Sequence, residues 1–164
     1  MKHPITKTHK GIPIYVDLIK SPASTSISQQ PHLVTLVKEL LNATNLNKPT
    51  VVIEYDFGRN IGNCDVIETT EKDHIVYAKR VKQENFARFV RRRNPAPSTF
   101  ITAVLKLDSD GEYELHDIWI GRSIPPMPGT ELETKESKDY WANHALVFEG
   151  QSLQLRSLTT VCPY

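Results

Sequence analysis

The sequence predicts an α+β fold: a mostly antiparallel sheet with a central hairpin and two or three packed helices. Three observations predict it. Leu33, Leu36, Val37, Leu40 and Leu41 recur at helical spacing and give one apolar face. Residues 98–108 and 112–121 are strand-like runs joined through the turn Asp108–Gly111, the strongest hairpin signal in the chain. Strand-like and helix-like segments do not alternate regularly, which argues against a doubly wound parallel sheet. At 164 residues the chain is expected to be one domain, 1–164, long enough to bury a core without staples. With 39% hydrophobic and 24% charged residues it fits no collagen, coiled-coil, disordered or membrane-spanning class.

In chain order, residues 1–11 are polar and predict a loosely ordered start. IPIYVDLIK (12–20) reads as a strand and SPASTSISQQ as a loop holding several helix-cap residues. Pro31 suits the first turn of the leucine helix, where its missing N–H is not needed. TVVIEYDF (50–57) is rich in β-branched and aromatic residues and predicts a strand. CDVIETT (64–70) and HIVYAKRV (74–81) read as two strands around a polar turn. ENFARFVRRR (84–93) predicts a short helix, with Phe86, Phe89 and Val90 on one face and arginines on the other, ended by NPAP. After the hairpin comes a rigid proline-rich loop, RSIPPMPGTE. TKESKDYWAN (134–143) predicts a capped helix, and ALVFEG and QLRSLTTV predict short final strands.

Net charge is only +1, but it is polarised. Residues 72–93 hold eight basic and two acidic groups, and residues 108–139 hold nine acids and three bases. The basic stretch fits a phosphate-binding face, or a solvated face paired with the acidic segment. Cys64 and Cys162 lie far apart in no metal-ligand spacing, which predicts free buried thiols in a reducing setting, with one long-range disulfide as the alternative. The N-terminal segment has no apolar run long enough for a signal peptide or membrane helix, so a cytoplasmic location is expected. Phosphate-cradling, dinucleotide and zinc-peptidase motifs are absent, and neither a cofactor nor a metal is expected.

The candidate chemistry centres on histidines. Alternation along 74–81 puts His74, Val76, Ala78 and Arg80 on one strand face, as a base and a phosphate clamp or as an exposed histidine at a strand start beside surface bases. It also puts Glu114, His116 and Ile118 on one face of the hairpin, and Leu115, Asp117 and Trp119 on the other. One strand supplies too few ligands for a metal there. Tyr140 and His144 stand at i and i+4 and can meet, next to Trp141, as a base-stacking and proton-transfer cluster or as a core corner. The hydroxyls of Thr99 or Thr102 can orient a phosphate, or simply favour a strand.

In this order, His74, then Lys79 or Arg80, then Thr99 or Thr102, then Tyr140 or His144, residues 70–148 resemble the barnase–EndoU–colicin–RelE group of small metal-independent ribonucleases. The resemblance implies helices on an antiparallel sheet and RNA cleavage by 2′-OH transesterification. It implies His74, Arg80, Thr99 and His144 as catalytic groups. Lys79, Arg88, Arg91 and Arg92 would hold the RNA backbone, and Tyr140 or Trp141 would stack an unpaired base. A toxin-like role with a protein antitoxin would follow. Two other functions fit the sequence. One is a non-enzymatic module (immunity, adaptor or inhibitor protein) that binds a protein partner through the acidic segment and the proline-rich loop. The other is an RNA- or DNA-binding domain that does not cleave.

Overall fold

Alternating burial along the strands and a single buried stripe on the longest helix organise the chain. The computed structural model describes residues 1–164. It is α+β, with three helices and mostly antiparallel sheet. The chain, expected from its length to be one domain, divides into two compact units, each built from two segments. Unit 1 comprises residues 1–61 with 99–123, and unit 2 comprises residues 62–98 with 124–164.

Unit 1 holds β1 (Lys2–Lys7), β2 (Pro13–Asp17), β3 (Thr50–Asp56), β9 (Phe100–Leu107) and β10 (Tyr113–Ile120), in the order β1-β2-β10-β9-β3. The predicted hairpin is β9–β10. Helices α1 (Pro22–Gln29) and α2 (Leu33–Asn42) supply Ala23, Leu33, Leu36, Val37, Leu40 and Leu41 to a core shared with Ile14, Ile53, Ile101, Ala103, Leu105 and Ile118. Burying each such large side chain is worth about 1.5–3 kcal/mol, so the leucine stripe dominates the stability of α2.

Two expectations fail here. Residues 2–7 are not loose: they form β1, closed onto β2 by a turn at Thr8–Gly11 in which Gly11 has φ +82°, with Ile5 in the core. The segment 21–30 is not all loop. Pro22 opens α1, where no N–H is required, and the helix buries only Ala23, so its Ser- and Gln-rich sequence carries little apolar pattern.

Unit 2 holds β5 (Val66–Glu68), β6 (His74–Arg80), β7 (Phe86–Arg91), β11 (His144–Val147) and β12 (Leu153–Thr159), in the order β12-β6-β7-β11-β5. It also holds a small pair, β4 (Gly62–Cys64) with β8 (Ala96–Ser98), and helix α3 (Lys135–Trp141). The Thr134 N–H donates to Ser137 Oγ at 2.9 Å and fixes the start of α3. The expected helix over 84–93 is instead the central strand β7. Ala87 and Phe89 are buried on one face and Arg88 and Val90 on the other, as a strand paired on both edges requires. The expected pairing of 64–70 with 74–81 also fails: β5 pairs β11, while β6 lies between β7 and β12. Both cysteines are free thiols; Cys64 is half-buried, and Cys162 is exposed rather than buried. No helix is long and apolar enough to cross a membrane.

Candidate functional site

The four residues expected to be catalytic, His74, Arg80, Thr99 and His144, do not come together. His74 and Arg80 share a face of β6, as alternation predicted. Between them that face carries Val76 and Ala78, packed with Phe89, Trp141 and Leu146. They stand at opposite ends of the strand, about 20 Å apart at 3.3 Å per residue. His144 begins β11, two strands from β6 and level with Ala78. Strand rise and spacing put it about 16 Å from His74. Proton-transfer groups must lie within hydrogen-bond reach of one phosphate, so these three do not form one centre. Thr99 belongs to unit 1, where its hydroxyl bonds the Asp56 carboxylate.

Two of the expected RNA contacts are interior. Arg88 is buried, and its Nη1 donates to Thr69 Oγ1 at 3.0 Å and to the His144 carbonyl at 2.8 Å. Trp141 is 2% exposed, and its indole N–H donates to the Pro125 carbonyl. With 84–93 a strand, no basic helix exists to track a backbone. Lys79 lies over the Phe86 ring, Arg91 lies over Phe148, and the Arg92 N–H donates to Glu149. The Tyr140–His144 contact does form. Their rings stack at 3.9 Å and 3°, and burial pushes the Tyr140 hydroxyl up to about 12.

A different surface stands out on unit 1. The helices cover one face of its sheet. The other face carries, row by row, Asp56 and Phe100; Glu54, Thr102 and Trp119; Val52, Val104 and Asp117; and Lys106 and Glu114. Val52 is 55% exposed, and Val104, Phe100 and Trp119 are half-buried. Thr102 is buried between its neighbours and donates to the Gly121 carbonyl.

A bulge makes this face. Register shifts between Leu115 and Asp117, so Ile118 joins Leu115 in the core and Asp117 and Trp119 turn outward with Glu114. Simple alternation therefore misassigned Ile118 and Leu115; along β9 and β3 the register is unbroken, and alternation does put Phe100, Val104 and Val52 on one face.

Arg122 lies 4.7 Å over the Phe100 ring and reaches Glu54 Oε1 at 2.8 Å; it and the Ser123 N–H hold the Glu54 carboxyl below its ordinary range. The Trp119 indole N–H donates to the Arg122 carbonyl. At the rim, Lys2 gathers Asp108, Asp110 and Glu112 at 2.7–3.3 Å and sits over Tyr15. His116 contacts Glu114 at 3.0 Å. Face and rim together hold seven carboxylates (Glu54, Asp56, Asp108, Asp110, Glu112, Glu114, Asp117) against Lys2, Lys106 and Arg122. No group of three or more His, Cys, Asp or Glu side chains is arranged to hold a metal ion. Comparison of the chain with family models, with curated proteins and with solved structures finds no match.

Proposed function

We propose that the protein is a binding module whose partner is a basic protein segment, taken up on the helix-free face of the unit 1 sheet. The supporting observation is that face itself: an apolar centre of Val52, Val104 and Trp119 edged by an excess of carboxylates. Apolar contact supplies affinity at such a surface, while charge steers approach and selects the sign of the partner. Part of the acidic segment, residues 108–117, contributes directly.

Titration with Lys/Arg-rich peptides at low salt tests this. Trp141 is buried, so a fluorescence change on binding reports Trp119. Binding is expected to weaken with salt and to be lost in Val104→Arg, which sets a cation in the middle of the face. Unchanged fluorescence, or equal binding by Val104→Arg, overturns the proposal.

Ribonuclease action has one observation in its favour: His74 stands directly across from Arg91 in the β6–β7 register. A base beside a phosphate clamp is the minimum for 2′-OH transesterification. Incubation with labelled RNA in EDTA tests it. Cleavage to 2′,3′-cyclic ends by wild type and not by His74→Ala supports it; intact RNA leaves the binding module.

A further inference from the structure

At one end of the β6–β7 pair, the Asp73 and Glu149 carboxylates spend their hydrogen bonds on groups other than His74 and Arg91, although Glu149 lies close enough to Arg91 to feel its charge. Asp73 takes Arg93 Nη1 at 2.9 Å on both oxygens and also the Thr70 N–H. Glu149 takes the Arg92 N–H at 2.9 Å. His74 and Arg91 face each other as cross-strand partners, with Cβ atoms about 5 Å apart. Arg91 rests its guanidinium 5.1 Å over Phe148, and its buried Nε has no hydrogen-bond partner. The next residue, Arg92, holds a left-handed φ of +62°, a conformation costly for a residue with a side chain and found mostly where the surroundings or a function impose it.

Two cation-capable groups directly opposite one another destabilise a sheet unless something negative lies between them. The guanidinium fork takes two oxygens of a carboxylate or of a phosphate equally well, but only a phosphate then has a further oxygen left for the exposed imidazole on the neighbouring strand. We propose that His74 and Arg91 form an oxyanion site for a phosphate group, either a free phosphate or a phosphodiester of a nucleic-acid backbone. The site lies on unit 2 and stands independently of the peptide-binding face; it requires no cleavage of the ligand.

The test follows the His74 ring by NMR during pH titrations in inorganic phosphate and in chloride of matched ionic strength. Phosphate is expected to raise the apparent pKa of His74 above that in chloride, with the other five histidines moving less. Arg91→Gln is expected to weaken phosphate binding about tenfold, the loss of one charge-assisted contact. Asp73, Glu149, Arg92 and Arg93 are the other charged groups at this end of the sheet, so the phosphate–chloride difference is read rather than the absolute titration. A parallel titration with a short single-stranded RNA separates the sources: tighter binding than inorganic phosphate through the same two residues names a nucleic-acid backbone, and binding of inorganic phosphate alone names a free phosphate. A His74 titration identical in phosphate and chloride overturns the proposal in the wild-type protein, whatever the variant does.

Discussion

Removing Arg88 separates a structural arginine from an RNA-binding one. Its Nη1 is the donor to both Thr69 Oγ1 and the His144 carbonyl, and so links β7 to β11 and to the end of β5. A hydrogen bond from a charged donor contributes about 1.5–3 kcal/mol, and a buried acceptor left without a partner costs about 1–3 kcal/mol. Arg88→Ala adds the loss of the buried aliphatic stem, for a total of about 3–4 kcal/mol. Arg88→Met keeps the stem and removes the desolvation cost of the guanidinium, so its loss is about half as large. Urea unfolding followed by circular dichroism measures both, with the slope m unchanged if only stability moves. A loss under about 1 kcal/mol in Arg88→Ala, accompanied by weaker RNA binding, would refute the structural role and restore the nucleic-acid contact.

Acid should loosen unit 1. The Ile19 and Lys20 N–H groups hold Asp17 down at about 2, and Asp108 also sits at about 2, where burial is outweighed by the Glu112 N–H, the Tyr15 hydroxyl and Lys2. Both lie below the unfolded value near 3.8, so their stabilisation is complete above about pH 4 and is lost as pH falls towards 2. The urea midpoint should drop over that window, and Asp108→Asn should flatten the drop. The two thiols should differ in reactivity: Cys162 is exposed, whereas burial raises the Cys64 thiol above its ordinary value. Limited alkylation at pH 8, read by mass spectrometry, should label Cys162 first; equal labelling would contradict the burial of Cys64.

What the sequence disclosed depended on whether one side of an element faces the core alone. Helix α2 and the β9–β10 hairpin do so, and their periods are plain. Strand β7 is buried on both faces, and Phe86, Phe89 and Val90 happen to fall at i, i+3 and i+4, the spacing of a helix. That one mistake hid the most interesting pairing in unit 2, because His74 and Arg91 become neighbours only when 86–91 is a strand. The Tyr140–His144 stack was legible because four residues of near-helical chain bring rings together even where a helix gives way to a strand. The outward turn of Trp119 was not, since a bulge at His116 shifts the face of every later residue and leaves no mark in composition.

Three passages of the backbone from one unit to the other have a consequence for how the protein can be made and dissected. Strand β3 finds its neighbour β9 only after residues 62–98 have been synthesised, and β7 finds β11 only after the whole hairpin has followed. On the ribosome, each half-built sheet waits with an open edge while segments of the other emerge, a condition that slows folding and exposes strands to wrong partners. For the same reason no single proteolytic cut yields a complete unit. An expressible unit 1 requires joining residue 61 to residue 99 with a short linker, whereas a fragment ending at 61 or beginning at 99 would lack part of its own sheet.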